Sequence, residues 1–218
     1  MRLLRVFVFA AAFTLFAGNA VAQVQHYDLM LGQRQIGTLQ FDPTTMEMLS
    51  NIDNTPLGLG IGRFQARSTS TISPEGRVKT SYLSEGSKRR IAVDIADGQV
   101  ITTTIDPASE ATPLSDPPAV PQGVIPLTEG FAQIATHGGC PEPMMIYDGR
   151  RVVSLQTLVQ SDDTTGLSCE IAYQVIKGPG HVSPFRFTQL GLKLFYQHGQ
   201  LRQMTVSAGG FVLQVLRK

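Results

Sequence analysis

The stretch from Cys140 to Leu155, which reads CPEPMMIYDGRRVVSL, holds the side chains best suited to binding chemistry. Tyr147, Asp148, Arg150 and Arg151 bring a phenol, a carboxylate and two guanidinium groups together around one turn. We predict that these four residues form the rim of a ligand site, because a few convergent polar groups at a concave mouth are typical of such sites. An alternative stays open for the two arginines: near a turn, a long cationic side chain also reaches water without binding anything.

The pair Asp148-Gly149 predicts a two-residue type I′ hairpin, because both central residues of that turn need a positive φ. In the resulting register Tyr147 faces Arg150, and the guanidinium packs on the ring for about 0.5 to 1 kcal/mol. Ile146 then faces Arg151 at the end of the more apolar face. The core residues predicted on that face are Met144, Ile146, Val153, Leu155 and Val159.

The chain has two cysteines, Cys140 and Cys169. In an exported protein the simplest use of two cysteines is a disulfide bond. It closes a loop of about 30 residues and contributes roughly 3 to 4 kcal/mol if the chain-entropy account holds. A reactive thiol is the alternative, but the sequence has no CxxC motif and no histidine adjacent to either cysteine.

The sequence contains no recognised catalytic or metal-binding motif. HExxH and GxSxG are both absent, and residues 57–62 lack the Lys-Ser/Thr ending of a phosphate-binding loop. We interpret the glycines of that stretch as permitting a bend in a sheet. We therefore predict no catalytic residue, no metal site and no cofactor, and a hydrolase with a non-contiguous site is the least favoured alternative. The histidines are widely scattered, at His26, His137, His181 and His198.

Residues 1–22 have the pattern of a cleaved signal peptide. Arg2 and Arg5 precede an apolar run from Val6 to Phe16, and Ala20-Val21-Ala22 matches the small-x-small cleavage pattern. We predict cleavage after Ala22, a periplasmic location, and no integral membrane segment in the remaining chain.

The composition excludes a strongly basic protein of the kind that binds nucleic acid through its overall charge. The formal net charge is +1, and the loss of Arg2 and Arg5 lowers it to −1, so no basic field recruits nucleic acid. The oligomeric state is not indicated by any pattern.

Short runs that alternate apolar and polar residues, separated by turn signals, fill most of the chain. Asp97-Gly98 predicts a further type I′ hairpin, and we interpret the basic triplet Lys88-Arg89-Arg90 as a solvated or edge-protecting strand end. The pattern predicts an all-β fold, mainly an antiparallel meander, in which residues 23–218 form one domain. An antiparallel meander of about a dozen strands curls into a strongly curved sheet or partial barrel.

Two segments break the strand pattern. Residues 106–126 are rich in proline and form a crossover that is too long for an ordinary connection, so we expect a lid or a linker. Residues 127–137 predict one short helix, capped by Thr128, with an apolar stripe on one face. Whether that stripe fills the concavity as core or leaves it open is not decided by the sequence.

A set of residues runs along the chain: Tyr27-Asp28, Gly32, Gly37, Cys140, residues 147–151 and Cys169. On these residues the chain resembles an exported bacterial family, the domain of unknown function 3108. Tyr147 stands where that family usually has phenylalanine, and Val152-Val153 replace an expected Tyr-Asp pair. The resemblance implies a curved antiparallel sheet or partial barrel in the cell envelope and no known reaction.

The leading interpretation is a non-catalytic binding or carrier module of the cell envelope, with a hydrophobic or glycan-like ligand. An alternative is an assembly component that acts through an envelope protein. An apolar tunnel would favour the carrier of a lipid, and a filled interior with an exposed sheet edge would favour the protein partner.

Overall fold

The computed structural model describes residues 23–55, 62–181 and 185–218. The predicted signal peptide and most of the glycine-rich stretch, at 56–61, lie outside the described residues. The strands are β1 Gln25–Leu31, β2 Arg34–Asp42, β3 Glu47–Ile52, β4 Gly62–Ile72, β5 Val78–Gly86, β6 Arg90–Ala96, β7 Gln99–Asp106, β8 Val124–Pro126, β9 Met144–Tyr147, β10 Val152–Asp163, β11 Gly166–Lys177, β12 Gln189–Gln197, β13 Gln200–Ala208 and β14 Phe211–Arg217, and the helix α1 is Leu127–Thr136.

All 14 of these strands belong to one sheet. Its order runs from β7 back to β1, continues to β14, and then runs back to β8. The pairs are antiparallel, apart from the parallel pair of β8 and β9. The sheet curls until its two edges approach each other, and the Gly123 N–H donates to the Gly98 carbonyl at 2.8 Å across the gap. This nearly closed barrel confirms the predicted all-β curved sheet.

Alternation along each strand produces the inner face of the barrel. In β6, Ile91, Val93 and Ile95 are buried while the residues between them are more exposed. Successive side chains of a strand point to opposite faces of the sheet. Apolar residues at every second position therefore all face the interior of the barrel.

The helix α1 lies inside the barrel and fills it. The ring of Phe131 packs edge-on against Phe41 and Tyr27, at centroid distances of 5.0 and 6.1 Å. The Tyr196 hydroxyl donates to the Ile134 carbonyl at 2.7 Å. The apolar stripe of the helix is therefore part of the core of the barrel. In the described part of the chain, no helix combines the length and apolar character needed to cross a membrane.

The predicted cap at Thr128 is wrong, because this side chain points into the barrel wall. Its hydroxyl donates to the Ser68 hydroxyl of β4 at 2.8 Å. The next residue, Glu129, accepts hydrogen bonds from Ser70 at 3.2 Å and from Thr80 at 3.1 Å. Hydroxyl groups of β4 and β5 thus hold the first turn of α1 in place.

The proline-rich crossover packs across the gap between β7 and β8. It forms three 3₁₀ turns, at Ala108–Glu110, Pro113–Ser115 and Pro117–Ala119. Leu114 is 5% exposed and belongs to the core. The crossover is therefore part of the barrel wall and covers the edge that β7 would otherwise present.

Cys140 and Cys169 form a disulfide bond, as predicted. The bond joins the segment before β9 to β11, so it ties down the region that carries the predicted rim residues. Thr157 of β10 reinforces this region by donating to the Pro141 carbonyl at 2.8 Å.

Candidate functional site

The connection between β9 and β10 is a four-residue loop, and the predicted two-residue turn is wrong. Tyr147 pairs with Val152, so residues 148–151 lie outside the ladder. The Asp148 carboxylate accepts the N–H groups of Arg150 and Arg151, each at 2.9 Å. An aspartate that accepts hydrogen bonds from the backbone N–H groups two and three residues ahead stabilises its own turn. Here this turn forms in place of the predicted two-residue hairpin.

The register also corrects the predicted faces of this hairpin. Ile146 faces Val153, not Arg151, and Met144 faces Leu155. These four apolar residues are buried as predicted, but Val159 is exposed.

Contact with β6 determines where this loop can lie. Gly149 has a φ of +91°, and a Cβ at this position would lie 2.3 Å from Cγ2 of Ile91. Gly178, with a φ of +90°, comes equally close on the other side, where a Cβ would lie 2.4 Å from the Arg150 carbonyl oxygen. The loop is therefore wedged between the end of β11 and the start of β6, and glycine is required at both contacts.

Tyr147 lies beneath this loop and not on the rim. Its side chain is fully buried. Its hydroxyl donates to the Leu114 carbonyl, lies 3.0 Å from the Gly149 carbonyl oxygen, and is 3.1 Å from the Thr103 hydroxyl. Tyr147 thus fastens the loop to the crossover and to β7, and the predicted stacking of Arg150 on its ring is wrong.

Arg150 instead belongs to an ionic clamp centred on Glu110 of the crossover. Its Nε donates to the Glu110 carbonyl at 2.8 Å, and its Nη2 lies 3.3 Å from the Glu110 carboxylate. The same carboxylate oxygen lies 3.1 Å from Nη1 of Arg89, just before β6. Glu110 therefore joins the crossover, the loop and the β5–β6 turn, as part of a network and not as an isolated surface pair.

Arg151 is the most deeply buried cation of the site, with 9% of its surface exposed. Its Nε lies 3.0 Å from the Asp148 carboxylate, close enough for an ion pair but poorly aligned for a hydrogen bond. Among the described residues, its Nη1 has no hydrogen-bond partner. A buried donor without an acceptor costs about 1 to 3 kcal/mol, and more when the group is charged.

The residues around Arg151 titrate away from their ordinary ranges. Burial raises the pKa of Asp148, against the opposing effect of the Arg151 guanidinium and the backbone N–H groups. Burial, together with the charge of Arg151, lowers the pKa of His181 to about 4. His181 is therefore neutral at pH 7, and its Nε2 lies 2.7 Å from the Tyr173 hydroxyl.

These groups border a cleft of about 600 Å³ at one end of the barrel. Of the predicted rim residues, Asp148, Arg150 and Arg151 line the cleft, whereas Tyr147 is buried and is not part of its lining. The remaining walls come from the ends of β3, β4, β5 and β6, and they are partly apolar. The other lining residues are Ser50, Ile52, Gly62, Arg63, Phe64, Tyr82, Ser84, Gly86, Ser87, Lys88, Arg89, Ile91, Leu127 and His181.

Most of this lining cannot be found from the sequence, because it comes from separate segments. In the sequence His181 is an isolated histidine, and Arg63 follows a glycine-rich stretch whose pattern predicts a bend. Arg89 belongs to the basic triplet interpreted as a strand edge. Among the described residues, no group of three or more His, Cys, Asp or Glu side chains is arranged to hold a metal ion.

Comparisons with known proteins find a likeness among solved structures. No family model matches the chain, and no curated protein is similar to it, so the resemblance to the domain of unknown function 3108 stays a prediction. A solved structure, a beta-barrel-like protein of domain of unknown function DUF1849 from Brucella abortus, is 14% identical with a TM-score of 0.45. The alignment covers 91% of this chain and 98% of that chain.

Proposed function

We propose that this protein is a non-catalytic binding protein of the periplasm whose ligand occupies the cleft at the barrel mouth. The observation that carries this proposal is the cleft of about 600 Å³, which has a size typical of small-molecule sites. Polar groups from distant parts of the chain converge on it, and apolar side chains lie between them.

The filled interior favours a ligand at the mouth over a lipid carried inside the barrel. Phe131 and the rest of the helix stripe occupy the space that an acyl chain would need. At the mouth, Phe64 and Ile52 offer apolar surface beside the polar groups of Ser84 and His181. A mixed lining of this kind suits a glycan-like or similarly polar ligand better than a purely hydrophobic one.

The periplasmic location is part of the proposal. It is supported by the signal-peptide pattern of residues 1–22 and by the Cys140–Cys169 disulfide, since such bonds persist in oxidising compartments. N-terminal sequencing of the protein from the periplasmic fraction is expected to begin at Gln23. An intact Met1 on the mature protein would contradict it.

A protein partner is the second candidate, and a cluster of exposed aromatic residues favours it. Phe185 and Phe211 are 46% and 43% exposed, and the ring of Phe185 stacks on Phe187 at 5.5 Å. Exposed apolar patches of this type are found at protein interfaces. Replacement of Phe185 and Phe211 by serine is expected to leave cleft binding unchanged and to abolish any association with an envelope protein.

Native mass spectrometry of protein purified from its own periplasm tests ligand binding directly. Ser87→Trp places a large side chain in the cleft, while Ser161→Trp adds the same side chain at an exposed site on β10. We expect a bound mass on the wild type and on Ser161→Trp, but not on Ser87→Trp. If all three proteins show the bare chain mass alone, the proposal of a tightly held ligand fails.

A further inference from the structure

The cleft concentrates positive charge that the protein as a whole does not have. The formal net charge of the full chain is only +1. Among the described residues that line the cleft, there is nevertheless a single carboxylate, Asp148, beside five cationic side chains. These cations are Arg63, Lys88, Arg89, Arg150 and Arg151.

The five cations differ in how well they are neutralised. Arg89 and Arg150 share the Glu110 carboxylate. Arg63 and Lys88 are exposed at the entrance, and neither forms an ion pair with a described residue. The unpaired charge is therefore at the entrance, where it attracts an oppositely charged ligand.

Arg151, at the floor of the cleft, has a guanidinium nitrogen, Nη1, for which the described residues provide no hydrogen-bond acceptor. The Asp148 carboxylate is held in place, because its Oδ1 accepts the backbone N–H groups of Arg150 and Arg151 and its Oδ2 lies 3.0 Å from Nε of Arg151. His181 is also occupied, with its Nε2 at 2.7 Å from the Tyr173 hydroxyl. Nη1 of Arg151 consequently has no hydrogen-bond partner within the described ranges, although it is buried.

Resting on the proposed function, we infer that the cleft recognises an oxyanion on its ligand, a carboxylate or a phosphate group. Arg151 is the anchor, since a guanidinium offers a planar set of donors that matches the oxygens of both groups. Arg63 and Lys88 draw the anion in from solvent, and the apolar wall at Phe64 contacts the uncharged part of the ligand. A bound oxyanion supplies the acceptor that Nη1 lacks.

Isothermal titration of the mature protein at low ionic strength tests this inference with three probes: inorganic phosphate, glucuronate and glucose. The test variant is Arg63→Gln/Lys88→Gln, which removes the two entrance charges. Its matched control is Arg77→Gln/Arg202→Gln, which removes the same charge from two exposed residues that do not line the cleft. Arg151→Lys keeps the charge of the anchor but removes its planar geometry, and its fold is checked by thermal unfolding.

The inference requires that at least one anionic probe bind and that glucose bind more weakly. The affinity for the anionic probe should fall about tenfold in Arg63→Gln/Lys88→Gln, because the attraction at the entrance depends on charge. It should also fall about tenfold in Arg151→Lys, because pairing at the floor depends on the planar guanidinium. The control variant should show no change. Preference for phosphate or for glucuronate then identifies which oxyanion the cleft prefers.

Two results would overturn the inference and would separate it from the proposed function. If glucose binds as tightly as glucuronate and Ser87→Trp abolishes both, the cleft is a ligand site but not an oxyanion site. Anion binding that is equal in all variants would place the anion elsewhere on the protein. If no probe binds and native mass spectrometry also shows the bare chain, both the inference and the proposed function fail.

Discussion

The molecule contains two Asp-Gly turns at opposite ends of the barrel, and the same dipeptide adopts two different structures. Asp97-Gly98 forms the predicted two-residue hairpin, with φ angles of +49° and +75°, and Ala96 pairs directly with Gln99. At Asp148-Gly149 only the glycine has a positive φ, and the connection extends over four residues.

The difference lies in what the aspartate contacts. The Asp97 carboxylate accepts the backbone N–H of Val78, on the neighbouring strand, and leaves its own turn unchanged. The Asp148 carboxylate accepts donors from its own loop and also pairs with Arg151. The local turn preference is thus retained at Asp97-Gly98, and it is overridden at Asp148-Gly149, where the aspartate is the partner of a buried charge.

Removal of the disulfide should have the largest effect and should act unequally on the two turns. Cys140→Ser/Cys169→Ser is expected to lower the free energy of unfolding by about 3 to 4 kcal/mol, because the closed loop no longer restrains the unfolded chain. Urea unfolding measures the loss. Hydrogen exchange should increase more in β9–β11 than in β6–β7, and an equal increase in both hairpins would contradict a local role of the bond.

Replacement of each turn glycine by alanine should destabilise the protein more at Gly149, which is the more crowded position, than at Gly98. Gly149→Ala is expected to cost about 3 kcal/mol, since it adds a clash with Ile91 to the strain of a positive φ. Gly98→Ala should cost about 1 kcal/mol, because the added Cβ would lie 3.2 Å from Gly123 Cα, which is a milder contact than the one at Gly149. Gly32→Ala is the control for backbone strain alone, with a φ of +60° and no atom within 4 Å of the added Cβ. Equal losses at Gly149 and Gly98 in urea unfolding would show that the wedge is unimportant.

Neutralising each aspartate should show which turn depends on charge. Asp148→Asn is expected to destabilise the protein by about 2 kcal/mol, because Arg151 loses the carboxylate with which it pairs and stays buried. Asp97→Asn should change stability by less than about 0.5 kcal/mol, because asparagine also tolerates a positive φ. Chemical unfolding at neutral pH measures both, and a small effect at Asp148 would contradict its role as the counter-ion of Arg151.

The cluster around the second turn should also give the protein a dependence on pH. His181 has a folded-state pKa of about 4 against an ordinary value of 6.5, so its neutral form stabilises the fold above pH 6.5. That stability, on the order of 1 kcal/mol, is lost as the pH falls toward 4.

The measurement is the difference in unfolding free energy between wild type and His181→Gln across this range of pH. Asp148 acts in the opposite direction, since burial raises its pKa, but it contributes to both proteins. The wild type should lose stability relative to the variant on acidification. Parallel curves would mean that His181 is not buried beside Arg151.

The strands could be predicted because their evidence is local. Ile91, Val93 and Ile95 alternate with more exposed residues, and the pattern alone turns them toward the core. The disulfide was equally accessible, since Cys140 and Cys169 are the only cysteines. Nothing beyond residue type and spacing is needed for such features.

The cleft could be predicted only in part because it depends on contacts between distant segments. Arg90 lies on the surface and pairs with Glu85 at 3.0 Å, as an edge-protecting residue does, while the adjacent Arg89 turns into the site and pairs with Glu110. No local rule separates these two arginines. Thr128 is a similar case, because its hydroxyl bonds to Ser68 on a strand that lies far earlier in the chain.

The pairing of β1 with β14 has a consequence for how the protein acquires its structure. Each half of the sheet joins neighbours along the chain, but the two halves meet where Leu29 pairs with Val215. Contacts so distant in sequence form late and slow the overall folding rate. Until β14 pairs with it, β1 presents an unpaired edge to other chains, so aggregation competes most strongly with folding in the interval before this pair forms.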